Sequence, residues 1–500
     1  MTARAVVVAH PADLDAAAVR AVAAGATVEL DDGLAGRLGA TRAEVLAALD
    51  GGVPAYGVST GMGALSDVAL AETDRGDHSA RLMLARAVGG PPYLDGTETR
   101  ALLAVRLRTF LAGDAGVSAE LCAWLAGLLA SDALPAVPRT GSGAAGEIIP
   151  LSHAFGHLAG VGRWLTHAPP EAPGPLGPKE GLSLLQGTPV AAALALLRAD
   201  DVRRLETLWL TTAAAEVGLV GASRDPYRPA LARGDDVLAG VLADLAAALP
   251  GVTDDAPVRR LQAPVSFRVV GHVHAHLRRA VAALDGAVDR VLDGVGDSPA
   301  WLPGGSEGEE DDQDYQGGVF VGTAGFHGLE LAAGADTLRV ALAHAATVGA
   351  ARLHRMLDPR TSGLPAQLSA DPGPHGGLVA VHKRAVAAVH AVSGWSATPL
   401  GAAETSGGQE DVQTFALEAL ERLRLTVAAA HEVVACELLA VHQARLLAPH
   451  LLAEAPAPLA GLLDRLAALL PASTLDRPWG EDLQTLLEAA LTAPAVGPDE

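Results

Sequence analysis

Long alanine- and leucine-rich stretches constrain the fold of this 500-residue chain more than any other feature. Alanine and leucine have high helix propensity, and apolar stretches of this length favour helices over strands. The sequence therefore predicts a mainly all-α protein, with short strands only near the N-terminus. The helical stretches cover about residues 188–250, 270–295, 325–358, 376–393 and 409–448.

The chain carries a formal net charge of −22 at pH 7. Nucleic acids and anionic membranes bind clustered Lys and Arg, so this charge argues against both as partners. The apolar run Leu425–Leu447 contains Glu432, Glu437 and His442, which indicates a buried core helix rather than a membrane span. We therefore expect a small-molecule partner.

Cysteine and histidine usage gives no disulfide framework and no metal site. Cys122 and Cys436 are the two cysteines, and both lie in apolar helical patterns typical of core thiols. The histidines are scattered, and the cluster HVHAH (272–276) has no carboxylates near it in sequence. The N-terminal residues lack the basic and long apolar regions of a secretory signal. These features predict a protein of the reducing cytoplasm.

Glycine- and proline-rich segments mark the loops and the expected domain boundary. Residues 51–66 and 139–147 are glycine-rich and not periodic, so we expect loops there. A Pro/Gly linker at 168–178 predicts an N-terminal domain over 1–170 and a helical bundle over 171–500. The acidic segment 304–318 is either a solvated loop or a mobile lid.

Eight ordered segments carry recognisable motifs over most of the chain. They are YGVSTGMG (56–63), RLRTFLAGDAGVS (106–118), PAVPRTGSGAAGEIIPLSH (135–153), EGLSLLQGTP (180–189), RLQAPVSFR (260–268), GFHGLELAAGADTL (325–338), LDPRTSGLPAQL (357–368) and SGGQEDVQTFAL (406–417). Together they resemble the aromatic amino acid lyases, the family of histidine, phenylalanine and tyrosine ammonia-lyases and related aminomutases. The resemblance implies a histidine ammonia-lyase-like long-helix bundle with a loop-rich N-terminal cap, assembled as a homotetramer.

The segment 135–153 departs from the family where its cofactor forms. In the family an Ala-Ser-Gly triplet cyclises and dehydrates into a methylidene-imidazolone (MIO), the electrophile that accepts the substrate amine. Here the triplet is Ala144-Ala145-Gly146, and one residue is missing after Ser142. Alanine has no hydroxyl to lose, so we expect no MIO and no other cofactor. A shifted triplet, 141–143, is the alternative source of MIO.

The resemblance also implies which residues act on the substrate. Tyr56 matches the loop tyrosine that removes the β-proton, and Arg268 matches the arginine that binds the substrate carboxylate. Gln262 and Glu410 match polar residues of the pocket, where Glu410 binds a ring nitrogen or relays a proton. Phe326 matches a pocket aromatic. For each residue a purely structural role is the alternative.

The remaining departures lie near the cofactor and the substrate ring. Gln186 replaces the asparagine that supports MIO, Val265 replaces the tyrosine beside it, and Glu147 replaces the aspartate that follows the triplet. Arg86 stands at the family's ring-selecting position, and Lys383 stands where a tyrosine is common. Cations there suggest a substrate ring with an anionic or strongly accepting group, unless Arg86 pairs with a nearby carboxylate.

Three functions are compatible with these residues. The first is a carbon–nitrogen lyase of the ergothionase type, which eliminates trimethylamine from a histidine betaine (hercynine or ergothioneine) without MIO. A quaternary ammonium has no lone pair to add to MIO and is already a competent leaving group. The second is a MIO-dependent ammonia-lyase or aminomutase, with a shifted MIO or an inactivating serine-to-alanine change. The third is a non-catalytic homologue that binds a small molecule.

Overall fold

The computed structural model describes residues 5–169, 174–251, 262–304, 318–398 and 404–492. The chain is mainly helical with few strands, which confirms the predicted fold class. The helices are α1 (Ala16–Ala23), α2 (Asp32–Asp50), α3 (Glu72–Arg86), α4 (Gly96–Leu111), α5 (Ala119–Ser131), α6 (Ile148–Phe155), α7 (Glu180–Leu185), α8 (Pro189–Leu219), α9 (Asp236–Ala248), α10 (Val265–Arg268), α11 (Val270–Asp293), α12 (Leu329–Met356), α13 (Pro359–Ser362), α14 (Val379–Ser393), α15 (Ala416–Leu447), α16 (Ala457–Leu469) and α17 (Trp479–Thr492).

Most long helices coincide with the predicted apolar stretches. The stretch 188–250 contains α8 and α9, which are separated by two short 3-10 turns that begin next to Pro226 and at Pro229. Helix α8 ends at Leu219, because Gly221 adopts φ +58° and the Ala222 N–H donates to the Val217 carbonyl. The chain becomes helical again at α9, where the carboxylate of Asp235 accepts the Leu238 N–H at 3.0 Å.

Two short strand pairs accompany the helices. Strands β1 (Ala5–Val8) and β2 (Thr27–Leu30) are parallel, with Ala5 opposite Thr27, as expected near the N-terminus. Strands β3 (Ala300–Leu302) and β4 (Val319–Val321) are antiparallel and were not predicted. Three residues are too few to show a period of two in the sequence. The acidic segment between β3 and β4 lies outside the described residues, except for its ends at 304 and 318.

By internal contacts the chain divides into two compact units, each assembled from three segments. The first unit contains Met1–Leu197, Leu284–Asp336 and Ala397–Glu421. The second contains Arg198–Ala283, Thr337–Ser396 and Arg422–Glu500. The sequence predicts instead one boundary at residue 170, which stays a prediction.

Helix α4 forms the centre of the first unit. It packs against α1 and α5, and nearly all of its side chains are buried, including three arginines. The guanidinium of Arg100 donates hydrogen bonds to the carbonyls of Val22, Ala26 and Leu129, which lie near the ends of α1 and α5. A buried arginine is tolerated here because carbonyl oxygens satisfy its donors.

A charged cluster lies in the core of the second unit. Arg352 of α12 donates to Glu216 at 2.7 Å and to Glu437 at 2.8 Å, and all three side chains are buried. The indole N–H of Trp209 also donates to Glu437. Burial and the neighbouring Glu437 raise the pKa of Glu216 well above its usual range. A Cβ on Gly349 would lie 2.8 Å from a Glu437 oxygen, so only glycine fits beside this cluster.

Two helical stretches are long and apolar enough to cross a membrane, Glu180–Leu219 and Ala416–Leu447. Within the protein, 89% and 78% of their most apolar windows are buried. Core helices of globular proteins meet the same criteria of length and composition. We therefore interpret both stretches as core helices, as the polar residues of the second one indicated.

Candidate active site

The tyrosine loop folds as predicted and holds the hydroxyl of Tyr56 in place. The Tyr56 oxygen accepts the Gly63 N–H at 2.8 Å, which closes residues 56–63 into a compact loop. Gly63 has φ +60°, and a Cβ there would lie 3.2 Å from Ser406. Glycine is therefore required both by the backbone conformation and by the close approach of Ser406. The loop fixes the phenol oxygen while leaving the side chain half-buried.

Glu410 lies on the neighbouring loop, which begins at Thr405. The backbones of Thr405 and Glu410 pair across a tight turn, and the Thr405 hydroxyl donates to Glu410 Oε2 at 2.8 Å. The side-chain amide of Gln413 donates in turn to the Thr405 hydroxyl at 3.2 Å. Ser406 of the same turn contacts Gly63, so this loop and the tyrosine loop are adjacent.

The Ala144-Ala145-Gly146 triplet lies against Glu410 and Phe326. The backbone N–H of Ala145 donates to Glu410 Oε2 at 3.2 Å. A Cβ on Gly146 would lie 3.6 Å from the Cβ of Phe326. The first unit therefore brings the triplet, the Glu410 loop and Phe326 together beside the tyrosine loop.

Glu147 connects the end of the triplet to helix α8. Its carboxylate oxygens accept the N–H groups of Val190 at 2.7 Å and Ala191 at 2.8 Å, two amides of the first helical turn that have no partner within the helix. The side chain is only 4% exposed. Burial raises the pKa of Glu147 to about 8, and the two N–H donors and the positive charge of Arg106 limit the rise.

The raised pKa of Glu147 predicts a pH-dependent stability. Its ordinary value is 4.5, so between that pH and 8 the folded protein holds a proton that the unfolded chain has released. The resulting stabilisation is fully present below pH 4.5 and is lost as the pH rises through 8. We expect the Tm of the wild type to fall relative to that of Glu147→Gln between about pH 5 and about pH 9. Parallel Tm–pH curves for the two proteins would contradict this assignment.

Arg86 is the last residue of α3, and it interacts electrostatically with Tyr56 of the tyrosine loop. Burial lowers the pKa of Arg86, and its electrostatic interactions with Tyr56 and Glu410 oppose that decrease. The guanidinium donates to the Leu82 carbonyl at 3.1 Å and forms no ion pair with any carboxylate that the structure describes. A positive charge therefore lies near both Tyr56 and Glu410.

Gln186 is buried at the end of α7, and a buried arginine holds its backbone. The guanidinium of Arg106 donates to the Gln186 carbonyl. Burial lowers the pKa of Arg106 to about 10, and the nearby Asp297 and Glu147 oppose the decrease. Arg106 thus supports the segment that follows α7.

Three predicted substrate-binding residues lie in the second unit. Arg268 ends α10 and is half-buried, and its Nε is buried without a hydrogen bond to any residue that the structure describes. Gln262 is exposed, as is Lys383 on α14, and the nearby Val265 is 59% exposed. Their roles toward a substrate stay predictions.

Sequence reasoning missed the contacts that hold the site. Thr405 precedes the recognised segment 406–417, and nothing in its sequence surroundings indicates that its hydroxyl binds Glu410. The sequence indicates Glu147 only as a departure from the family. Its link to Val190 joins residues 43 positions apart, which a single sequence does not reveal. A signal was present in Pro189, since proline is favoured in the first turn of a helix whose amides need a cap.

The fold and the site together define a class of protein. A tyrosine oxygen, a carboxylate and an arginine lie in one half-buried region of a mainly helical scaffold, an arrangement suited to proton removal. The family model of the aromatic amino acid lyases matches residues 14–465. The chain therefore belongs to the aromatic amino acid lyase family and is a carbon–nitrogen lyase.

Curated relatives agree with this placement. A histidine ammonia-lyase from Anaeromyxobacter dehalogenans is 30% identical over 464 residues, which cover 85% of this chain and 87% of the relative. A histidine ammonia-lyase from Symbiobacterium thermophilum is 31% identical over 458 residues, which cover 87% of this chain and 86% of the relative.

Solved structures of lower identity share the fold. A tyrosine aminomutase from Streptomyces globisporus has a TM-score of 0.87 at 23% identity, covering 98% of this chain and 97% of the other. The ergothioneine-degrading enzyme ergothionase from Treponema denticola has a TM-score of 0.84 at 20% identity, covering 97% of this chain and 98% of the other. A histidine ammonia-lyase from Trypanosoma cruzi has a TM-score of 0.83 at 21% identity, covering 97% of this chain and 93% of the other.

Proposed function

We propose that the protein eliminates trimethylamine from a histidine betaine of the hercynine or ergothioneine type, without MIO. One observation carries the proposal. The Ala145 N–H donates to Glu410 at the position where the family has its serine, and the oxygen of the neighbouring Tyr56 accepts the Gly63 N–H. The groups for proton removal are retained, and the triplet offers no hydroxyl from which the family's electrophile forms.

The chemistry of the leaving group explains why the groups for proton removal are retained while the triplet lacks the hydroxyl from which MIO forms. The Tyr56 oxygen, as phenolate, removes the β-proton of the substrate, and the carbon–hydrogen electron pair becomes the new double bond. The carbon–nitrogen bond breaks, and its electron pair leaves with the nitrogen as neutral trimethylamine. A quaternary ammonium has no lone pair with which to attack an electrophile, so this reaction proceeds without MIO.

The positive charge of Arg86 supports both steps. Its electrostatic interactions with Tyr56 and Glu410 show that a cation lies beside the groups proposed to act on the substrate. In the same position, a guanidinium would stabilise negative charge that develops on the sulfur of a thione ring. Glu410 Oε2 is already bonded to Ala145 and Thr405, and Oε1, which has no partner among the described residues, would accept a ring N–H.

The family resemblance supplies the remaining proposed substrate contacts. Arg268 would bind the substrate carboxylate through its planar guanidinium, which suits a bidentate pair. Gln262 and Lys383 would contribute further polar contacts, and Phe326 of the first unit would pack against the ring. We further propose a cytoplasmic homotetramer, the assembly that the family resemblance implies.

A substrate panel tests the proposal. The purified protein is incubated with histidine, tyrosine, phenylalanine, hercynine and ergothioneine. The released amine is identified by mass spectrometry, and the conjugated acrylate is followed by ultraviolet absorbance. We expect trimethylamine from a betaine, no consumption of free amino acids, and an intact mass equal to that of the unmodified chain.

In Arg86→Met, turnover of ergothioneine should fall more than turnover of hercynine, which lacks the sulfur.

Other outcomes point to the alternative functions. Ammonia from a free amino acid, with an intact mass lower by two water molecules, would establish a shifted MIO and an ordinary ammonia-lyase. Binding of a betaine or an amino acid without any product would indicate a non-catalytic homologue. Either result would overturn the proposed reaction.

A further inference from the structure

We propose that His78 of α3 is a positioning residue, which holds Tyr56 in place through a hydrogen bond from its ring to the backbone of Gly57. Gly57 is the next residue after Tyr56 in the tyrosine loop. The expected effect on catalysis rests on the proposed function. The expected effect on the loop does not, because it is measured on the folded protein without substrate.

Helix α3 gives His78 a fixed support. It packs against α7, and a Cβ on Gly181 of α7 would lie 2.4 Å from the Ser79 carbonyl oxygen, so only glycine allows the two helices to approach this closely. The hydroxyl of Ser79 also donates to the Gly177 carbonyl at 3.2 Å. The turn of α3 that carries His78 is therefore held in place by the residue next to it.

The two ring nitrogens of His78 have different surroundings. Nε2 is buried without a hydrogen bond to any residue that the structure describes, so Nδ1 is the nitrogen that faces the Gly57 backbone. The Gly57 N–H already donates to the Thr60 hydroxyl oxygen at 3.2 Å, which leaves the Gly57 carbonyl as the acceptor. Burial lowers the pKa of His78, and the hydrogen bond to Gly57 opposes that decrease, as expected for a bond that the ring donates. The neutral ring therefore carries its proton on Nδ1.

Gly57 is a position at which a small shift of the backbone would move Tyr56. Its φ is +69°, and a Cβ there would lie 3.0 Å from the Leu182 side chain, so the backbone passes through a narrow space. The bond from Gly63 holds the oxygen at the tip of the Tyr56 side chain. The bond from His78 holds the backbone from which that side chain extends. Together the two bonds fix both ends of the tyrosine.

A cavity behind the tyrosine loop explains why the loop depends on this bond. The cavity has a volume of about 100 Å³, and its lining includes His78 of α3, Val58 and Ser59 of the loop, and Leu49 of α2. This is room for about three water molecules. Atoms that line a cavity lack packing contacts on that side, so hydrogen bonds hold the loop there instead.

Two substitutions of His78 separate the hydrogen bond from packing. The amide of His78→Asn places an N–H donor where Nδ1 lies, whereas His78→Leu fills the space without a donor. We measure Tm, hydrogen exchange of the peptide that spans 56–63, and kcat and KM for the betaine. His78→Leu should raise exchange of this peptide by roughly threefold to tenfold. It should lower kcat by about tenfold or more with a smaller change in KM. His78→Asn should stay within about threefold of the wild type in exchange and in kcat.

Added imidazole gives a second test, in the variant His78→Ala. This substitution leaves a hole of the size of the lost ring beside the existing cavity. Imidazole should enter the hole, donate to the Gly57 carbonyl, and restore both the protection of 56–63 and kcat. N-methylimidazole fills the same hole but has no N–H, so it should restore neither.

His157 provides the matched control. It is also a half-buried histidine of the first unit, and its Nε2 lies 3.1 Å from the Arg163 carbonyl oxygen. Burial lowers its pKa, as it does for His78. His157→Leu should lower Tm without changing kcat or the exchange of 56–63.

The outcomes separate this inference from the proposed reaction. Wild-type exchange of 56–63 in His78→Leu, or equal rescue by imidazole and N-methylimidazole, would overturn the positioning role, even if trimethylamine is released. Faster exchange that imidazole reverses, in a protein without betaine turnover, would retain the bond to Gly57 and reject the reaction. If His78→Leu and His78→Ala do not fold, folding of His78→Asn would support the bond, and failure of all three would overturn it.

Discussion

Replacing Tyr56 with phenylalanine is expected to lower kcat for betaine elimination by roughly 10²- to 10⁴-fold, the range found when a general base is removed. The change deletes only the oxygen that accepts the Gly63 N–H and would accept the β-proton. The measurement is the initial rate of trimethylamine release at saturating substrate.

Loss of the Gly63 hydrogen bond is a second effect of the same substitution, and its size is about 1 kcal/mol of stability. Tm and substrate affinity must therefore be measured alongside the rate. Tyr93→Phe is the matched control, because it removes a hydroxyl from the same unit outside the site and should leave kcat unchanged. Equal kcat values for Tyr56→Phe and the wild type would exclude Tyr56 as the base.

Replacing Arg352 with methionine is expected to lower the free energy of unfolding by about 3–5 kcal/mol. The substitution keeps much of the buried volume but leaves Glu216 and Glu437 together in the core without the cation that both contact. Chemical denaturation measures the effect. A transition with the wild-type midpoint would contradict the charge role assigned to this cluster.

Two further variants separate charge from packing in the Arg352 cluster. Glu216→Gln and Glu437→Gln, added together to Arg352→Met, should restore most of the lost stability, because a buried charged cluster can be replaced by neutral groups of similar shape. Arg360→Met is the matched control: Arg360 is 86% exposed and pairs with Asp358 on the surface, so its loss should change stability by less than about 1 kcal/mol.

The sequence predicted the elements of the site better than the contacts between them. The tyrosine loop, the altered triplet and most long helices are local patterns of glycine or of alanine and leucine, and the structure has them where expected. The Glu147 link to α8, the Arg106 link to Gln186 and the short β3–β4 pair depend on residues that are distant in sequence. Propensity and spacing carry no information about such neighbours, so only the folded chain reveals them.

Glu410 also has a consequence for how the loops of the first unit can move. Because one of its carboxylate oxygens accepts both the Ala145 N–H and the Thr405 hydroxyl, the triplet and the turn at Thr405 are expected to shift together rather than separately.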